Sequence, residues 1–516
     1  MSASHSLAEQ QAIIEQLRST LEQLTVQNKQ AQQTQYPQGD NGLTAKDLLD
    51  YSKSYIDFTY ENPTVYHTVE YFASLLEKAG FTYLDEKKDW NSLLSTNSTK
   101  YYTTRNDTSL CAFNLGQGWS ASQGIGAIDC HVDALTAKLK PFSTKESVEG
   151  YCLLGVAPYG GTLNEVWFDR DLGIGGRVLY RDEATNSFKS VLINSAPHPI
   201  ARIPTLAPHF GEPAIGPFDK EDQAVPVVGF SSEEDHESCK PTADEKKSSL
   251  FGKHSIHLLR YVAKLANVEV SQLVQLDLDL FDVQKGSIGG LKDDFLFAPR
   301  LDDRLCSFAA VTSLIEHSMN IKNSSNLDIV TLYDNEEVGS LSRQGAKGGL
   351  MEATVERILE SKLAPSTHAR DCSNGEMYAK SIVLSADVNH LFNPNFKEVY
   401  MKNHSPKPNI GVTLSLDPNA HMATDVVGVA LVEELARLND DKIQYFQIKN
   451  NSRSGGTIGP SISSQTGART IDLGIAQLSM HSIRATTGSR DIGLGVKFFK
   501  GFFKNWKPTY EQFGSL

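Results

Sequence analysis

The sequence predicts an α/β fold, with a mostly parallel central sheet flanked by helices and an inserted β-rich domain. Short apolar strands, such as Ile329 to Leu332 and Ile471 to Ile475, alternate with helical segments and end in polar residues. This alternation is typical of a sheet with helices on both faces. Between residues 142 and 289 the pattern changes, and Gly, Pro and β-forming residues recur, which indicates the insertion.

A chain of 516 residues is long enough for roughly two or three domains. We predict a helical N-terminal segment and polar linker over residues 1–43 and a first catalytic part over 44–141. The β-rich insertion then covers 142–289, and a second catalytic part covers 290–516.

Composition excludes several classes of protein. Acidic residues outnumber basic ones by 62 to 49, for a formal charge of −13, so nucleic acid is an unfavourable partner. No apolar run is long enough to span a bilayer, so we expect no membrane insertion. Six scattered cysteines and an N-terminus without an apolar core favour reduced thiols and argue against the secretory route.

The first element is a helix over residues 6–26, where Ser6 and Glu9 fit a capping box. One apolar seam repeats at spacings of three and four: Ile14, Leu17, Leu21 and Leu24. The polar tract Gln27 to Gly42 reads as a linker. A tethered amphipathic helix is typical of a recruitment device or propeptide, and the alternative is a helix that packs on its own domain.

The folded body begins near Thr44. Asn62 and Pro63 predict a helix start, with the apolar face Val65, Val69, Phe72 and Leu76. Residues 126–133 predict a short strand that delivers His131 and Asp133, and a His beside a carboxylate is oriented for metal binding. Within the insertion, Gly175 and Gly176 predict a turn rather than a nucleotide-binding loop, since no strand-then-helix context surrounds them.

Further polar residues follow elements of the second catalytic part. Asp302 precedes a helix that begins near Leu305. Glu336 and Glu337 follow the strand that ends near Leu332. Asp387 follows the strand 381–385, and His481 lies beyond the strand 471–475. For the two glutamates the plain alternative is that both point into water. The sequence shows no Gly-x-Ser-x-Gly nucleophile elbow, which argues against a serine hydrolase.

Taken together, these residues predict a two-metal site. Two imidazoles and three carboxylates suffice for two zinc ions that share one Asp, with one Glu left as a general base. Nitrogen and oxygen ligands without sulfur suit hydrolytic zinc, and manganese or cobalt are possible substitutes.

Five motifs resemble those of the M18 metallopeptidases. They are His131-Val-Asp133, Arg300-Leu-Asp302, Asp334-Asn-Glu-Glu-Val-Gly-Ser340, Ser385-Ala-Asp387 and Gln477-Leu-Ser-Met-His-Ser-Ile-Arg484. The similarity extends over nearly the whole chain and includes Ala157-Pro-Tyr-Gly-Gly-Thr162, Phe251-Gly-Lys-His254 and Asn450-Asn-Ser-Arg-Ser-Gly-Gly-Thr457.

The resemblance implies a zinc exopeptidase fold and an aminopeptidase with two zinc ions per subunit. By this analogy Asp302 bridges the ions, His131 and Asp387 complete one site, and Glu337 and His481 complete the other. Glu336 is then the base towards a metal-activated water, and Asp133 orients His131.

The resemblance also implies an assembly. In the family the β-rich insertion mediates dimerisation, and dimers build a dodecamer in which an insertion His reaches a neighbouring active site. His209 is the matching residue here.

Substrate contacts are expected from Ser415, His421 and Thr457. The aspartyl branch of the family that this chain resembles, which prefers acidic first residues, carries a basic side chain in the loop that corresponds to residues 415–422, whereas this chain has Ser415, Asp417, Asn419, Ala420 and His421 there and no fixed cation. Neutral, Leu-like first residues are therefore expected, with aspartyl aminopeptidase activity as the alternative.

The N-terminal segment resembles the propeptide of the vacuolar branch of the family. That resemblance implies synthesis in the cytoplasm and delivery to the vacuole by a selective-autophagy receptor, which binds the seam Ile14, Leu17, Leu21 and Leu24. Two rival functions remain open: a catalytically idle assembly or cargo scaffold, and a carboxypeptidase or deacylase on the same metal platform.

Overall fold

The computed structural model describes residues 43–92, 98–231, 240–319, 324–361 and 370–516. The predicted N-terminal helix, its seam residues and the linker to Gly42 lie outside the described residues. The chain divides into two units, residues 1–47 and 48–516. In the first unit, Thr44 and Asp47 form a reciprocal capping pair, with N–H to side-chain oxygen distances of 2.8 and 3.3 Å, which starts a helix at Ala45.

The α-helices of the described residues are α1 (Ala45–Glu61), α2 (Val65–Lys78), α3 (Ile256–Ala266), α4 (Arg304–His317), α5 (Leu350–Glu360), α6 (Asn374–Ala379), α7 (Val426–Asn439), α8 (Gly459–Thr466) and α9 (Asp491–Tyr510). Helix α2 confirms the start expected after Asn62-Pro63, and its predicted apolar face is buried. Helix α4 confirms the helix expected near Leu305. No helix of these described ranges is long and apolar enough to cross a membrane.

The strands in chain order are β1 (Thr82–Tyr83), β2 (Lys100–Arg105), β3 (Ser109–Leu115), β4 (Gly126–His131), β5 (Thr136–Thr144), β6 (Tyr151–Tyr159), β7 (Leu172–Asp182), β8 (Ser187–Asn194), β9 (Val227–Phe230), β10 (Leu273–Asp282), β11 (Ser287–Gly289), β12 (Phe295–Ala298), β13 (Leu327–Tyr333), β14 (Ile382–Ala386), β15 (Asn389–His390), β16 (Thr413–Ser415), β17 (Gln444–Phe446), β18 (Arg469–Gly474), β19 (Ala476–Gln477) and β20 (Ala485–Gly488).

A nine-stranded sheet has the order β1-β2-β3-β13-β4-β14-β18-β16-β17. The four central strands, β13, β4, β14 and β18, all run parallel, which confirms the mostly parallel sheet. The register pairs Tyr333 with His131, the last residues of β13 and β4. Carboxyl ends of parallel strands meet at one edge, so the polar residues that follow them converge there.

Helices cover both faces of this sheet. On one face, apolar residues of α5, α6 and α8 join a core cluster with residues of β3, β4 and β13. From the other side, Trp506 of α9 approaches β4 so closely that a Cβ on Gly126 would lie 2.3 Å from its Nε1. All seven residues of β13 are buried, as expected for a central strand between two helical layers.

A six-stranded antiparallel sheet has the order β8-β7-β10-β5-β6-β9 and confirms that this part of the chain is rich in strands. The predicted turn at Gly175 and Gly176 is wrong, because both glycines lie within β7 and pair with β10. A Cβ on Gly176 would lie 2.2 Å from the carbonyl oxygen of Asp277. Glycine is therefore needed here because the backbone of a neighbouring strand leaves no room for a Cβ atom. The domain boundaries at 142 and 290 stay predictions, and β5 continues across residue 142.

Candidate active site

Three neighbouring strands deliver polar residues to one edge of the large sheet. His131 is the last residue of β4, and Asp387 follows β14 directly. Glu336 and Glu337 begin a 3₁₀ turn, Glu336–Val338, three residues after β13 ends. The alternative in which both glutamates point into water is wrong, since their side chains are only 16% and 6% exposed.

Two further residues reach this edge from outside the three strands. Asp302 lies two residues before α4, and its side chain is 15% exposed. His481 follows β19 in a backbone conformation with φ of 64°, and its ring is 57% exposed. The exposed ring of His481 leaves one side of the site open to solvent.

Five of these six side chains form two groups around Asp302, and Glu336 stands outside both. In the first group, His131 Nε2 lies 3.3 Å from Asp302 Oδ1 and 3.6 Å from Asp387 Oδ1. In the second, His481 Nε2 lies 3.7 Å from Asp302 Oδ2 and 3.8 Å from Glu337 Oε2. Asp302 therefore turns one carboxylate oxygen towards each histidine.

These distances fit metal ligation better than hydrogen bonding. A tetrahedral zinc ion bound at roughly 2.0–2.1 Å separates two of its ligand atoms by about 3.3 Å. Hydrogen bonds between nitrogen and oxygen are shorter, roughly 2.7–3.2 Å. Asp302, Glu337 and His481 could thus hold one metal ion, and His131 could hold another with Asp303 and Asp387. The nitrogen and oxygen donor set suits zinc.

Three carboxyl groups of the site have raised pKa values, which bound cations would offset. Burial, reinforced by neighbouring carboxylates, raises the pKa of Glu336 to about 8. Burial and the charge of Asp302 raise the pKa of Glu337 well above its ordinary value, and its Oε1 has no hydrogen-bond partner among the described residues. Burial likewise raises the pKa of Asp387. Crowded carboxylates of this kind are stabilised by bound metal ions.

Asp133 organises the backbone of the two glutamates. The N–H groups of Glu336 and Glu337 donate to its two carboxylate oxygens at 3.1 and 3.2 Å. His131 Nδ1 lies 3.1 Å from the carbonyl oxygen of Asp133 and 3.3 Å from Asp133 Oδ1. Burial acts to raise the pKa of Asp133, but hydrogen bonds from His131 and Tyr159 outweigh it and lower the pKa. Asp133 therefore links the histidine to both glutamates.

Three residues of the site were not among the predicted ones. The Tyr159 hydroxyl donates to Asp133 Oδ2 at 2.8 Å, and Asn335 Nδ2 donates to the Tyr159 oxygen at 2.8 Å. Asp303 is fully buried and could join His131 and Asp387 around one ion. The motif around Tyr159 and the Asp302-Asp303 pair were visible in the sequence. Neither pattern shows that Tyr159 contacts Asp133, or that Asp303 lies beside His131 and Asp387.

Three of the predicted substrate residues make contacts outside the two groups around Asp302. Ser415 ends β16 and accepts a hydrogen bond from Asn389 of β15, two residues after Asp387. His421 Nδ1 lies 2.6 Å from Asp417 Oδ2. The Thr457 hydroxyl donates to Asp472 at 2.7 Å. His209 is exposed in the short turn Pro208–Phe210 of the insertion, and its role in a neighbouring subunit stays a prediction.

Comparison with known proteins identifies the family. A family model described as aminopeptidase I zinc metalloprotease (M18) matches residues 58–503. This chain belongs to the M18 family of metallopeptidases. Vacuolar aminopeptidase 1 of Saccharomyces cerevisiae is 62% identical over 519 residues, which cover 99% of this chain and 100% of that protein. Aspartyl aminopeptidase of Aspergillus oryzae is 35% identical over 496 residues, which cover 90% and 98%.

A solved M18 structure agrees with the fold. The structure of the S. cerevisiae mApe1 dodecamer superposes with a TM-score of 0.81 at 59% identity and covers 91% of this chain and 99% of that one. The resemblance to M18 enzymes is therefore confirmed, and the chain is a metalloaminopeptidase of a zinc-dependent family. Membership in an aminopeptidase family does not favour the carboxypeptidase or deacylase alternative.

Proposed function

We propose that this M18 enzyme binds two zinc ions per subunit and releases neutral, Leu-like residues from the N-termini of peptides. The observation that carries the proposal is the position of Asp302, whose two oxygens face two separate histidines at 3.3 and 3.7 Å. One carboxylate so placed is suited to bridge two ions. His131 and Asp387 would hold the first ion, and Glu337 and His481 the second.

In the proposed mechanism, Glu336 transfers the proton and Asp133 positions the two glutamates. Bound zinc supplies a Lewis acid that polarises a carbonyl and lowers the pKa of water. Glu336 stands outside both ligand groups, with its Oε2 3.9 Å from His131 Nε2. It would take the proton from the attacking water and transfer it to the nitrogen of the leaving amine. Asp133, which accepts hydrogen bonds from the backbone N–H groups of both glutamates, would fix the position of Glu336 relative to Glu337.

The charges of residues 415–422, which are proposed to face the substrate, support a preference for a neutral first residue. Residues 415–422 contain no Lys or Arg. The one imidazole of that loop, His421, is already engaged by Asp417 at 2.6 Å. An acidic first residue would therefore lose its hydration without gaining a cation in this loop, which is unfavourable.

We expect leucyl 4-nitroanilide to be hydrolysed with a kcat/KM at least about 10-fold above that of aspartyl 4-nitroanilide, because one unpaired charge costs about 1.4 kcal/mol or more. The two amides share a leaving group, so the comparison isolates the first residue. Acetyl-leucyl 4-nitroanilide serves as the control, since an aminopeptidase requires a free N-terminus. A higher kcat/KM for the aspartyl amide would instead establish the acid-preferring activity of the aspartyl branch.

We further propose that the protein forms a dodecamer, built from dimers, and is delivered from the cytoplasm to the vacuole through its N-terminal segment. A relative at 59% identity was solved as a dodecamer, and the relative at 62% identity is named a vacuolar enzyme. Its match includes 99% of this chain, so nearly all of residues 1–42 fall within it. A selective-autophagy receptor is the proposed partner for the seam Ile14, Leu17, Leu21 and Leu24.

Replacing Leu17 and Leu21 together by Ser is expected to abolish vacuolar delivery while peptidase activity stays within about 2-fold, because the change removes roughly half of the apolar seam. Delivery is measured by fluorescence microscopy and cell fractionation of the tagged full chain. The matched control is Gln16→Ser with Gln23→Ser, which changes the same segment off the seam. Normal delivery of the Leu17/Leu21 variant would refute the assignment.

A further inference from the structure

Asp472 is a buried carboxylate on β18, the strand that pairs with β14 just before Asp387, and it belongs to neither ligand group. Its side chain accepts the N–H of Ala423 at 2.5 Å and the hydroxyl of Thr457 at 2.7 Å. Its own backbone N–H donates to the Thr424 hydroxyl at 2.8 Å. One residue of β18 thus holds two chain segments that are far apart in sequence, residues 416–425 and 447–458.

The close fit of these segments depends on Asp472. The chain passes so near that a Cβ on Gly459 would lie 2.4 Å from Asp472 Oδ1. The Thr457 hydroxyl also lies 3.4 Å from the carbonyl oxygen of His421, so the two segments meet at the carboxylate. Both carry residues, His421 and Thr457, that are expected to contact substrate.

The strand that carries Asp472 also supports a metal ligand. Asp472 pairs in register with Ser385 of β14, and the N–H of Asp387 donates to the carbonyl oxygen of Leu473 at 3.0 Å. A Cβ on Gly474 would lie only 1.7 Å from the carbonyl oxygen of Asp387. Strand β18 therefore holds both segments, through Asp472, and also fixes the backbone of Asp387.

We infer that Asp472 is a positioning residue, which holds the segments of His421 and Thr457 at the substrate side of the metal centre and so sets the affinity for the first residue. The inference rests on the proposed function. A charged acceptor shared by two donors is stronger than a neutral one. Its removal leaves the Ala423 N–H without its acceptor and the Thr457 hydroxyl with only the carbonyl oxygen of His421, at 3.4 Å. Small displacements of substrate-positioning groups are costly.

The test is steady-state kinetics of Asp472→Ala in the full chain with leucyl 4-nitroanilide. We expect KM to rise by about 10-fold or more while kcat changes by less than about 3-fold, with the zinc content unchanged. The matched control is Asp491→Ala. Asp491 is another buried carboxylate that accepts two backbone N–H groups, from Asn409 at 2.8 Å and Gly488 at 3.0 Å, but it holds neither segment. It should lower the melting temperature without changing KM.

Thr457 provides an independent variant if Asp472→Ala does not fold. Thr457→Val removes the hydroxyl and is expected to raise KM, whereas Thr457→Ser keeps the hydroxyl and should restore the wild-type value. In the double variant with Asp472→Ala, the effects should not add, because both act through one hydrogen bond. Unchanged KM in Asp472→Ala and Thr457→Val, or loss of zinc in Asp472→Ala, would overturn the inference. Failure of the wild-type chain to hydrolyse any free-amine amide would instead contradict the proposed function.

Discussion

Replacing Glu336 by Gln is expected to lower kcat by about 10²- to 10⁴-fold, the usual contribution of a general base, while both zinc ions stay bound. Gln has nearly the same shape as Glu but cannot take a proton from the attacking water. Glu336 lies outside both ligand groups, so the geometry of the ligands around Asp302 should survive the change. The measurements are kcat with a leucyl amide and zinc content by elemental analysis.

The matched control for this change is Glu352→Gln. Glu352 is another largely buried glutamate, whose pKa is raised by burial, but it lies on helix α5 and belongs to neither group around Asp302. We expect its kcat to stay within about 2-fold of wild type. If Glu336→Gln kept full activity, another residue would have to be the base. If the wild-type chain itself were inactive with bound zinc, the idle-scaffold alternative would hold.

Replacing Asp302 by Ala is expected to reduce zinc binding at both positions and to lower kcat/KM by roughly 10³- to 10⁴-fold, because several kcal/mol of Lewis-acid stabilisation are lost. The reason is that Asp302 faces both histidines, at 3.3 and 3.7 Å. By contrast, His481 contacts only the second group. His481→Ala should therefore lose one ion and retain the one held by His131 and Asp387.

Zinc content per chain and a titration of activity with added zinc after chelation distinguish these outcomes. The control is His317→Ala, because His317 Nε2 lies 3.3 Å from Asp328 Oδ2, and Asp328 lies at the start of β13, the end of the strand opposite to the site. This variant should bind two ions. A single ion lost from Asp302→Ala, with the second retained at full occupancy, would contradict the bridging role. Equal zinc losses in Asp302→Ala and His481→Ala would show that the two positions fill together.

Much of the fold follows from local patterns. The apolar run Ile329 to Leu332 predicts a buried strand, and the structure extends it to Leu327–Tyr333. The convergence of His131, Glu336, Glu337 and Asp387 was also predictable, since polar residues that follow parallel strands meet at one edge of the sheet. The glycines at 175 and 176 show the limit of this reasoning. Locally they indicate a turn, but both lie within β7, where a Cβ on Gly176 would meet the carbonyl oxygen of Asp277 and a Cβ on Gly175 that of Ile193.

The sequence alone determined which strand and helix ends carry the histidine and carboxylate side chains of this site, because the order of the elements and the polar residues at their ends are properties of the chain itself. Only the tertiary structure decided how they face one another. It turns the two oxygens of Asp302 to different histidines and makes Asp133 the acceptor for the backbone of both glutamates. It also gathers two distant segments on Asp472. Such contacts join residues dozens to hundreds of positions apart, where sequence spacing carries no information about distance.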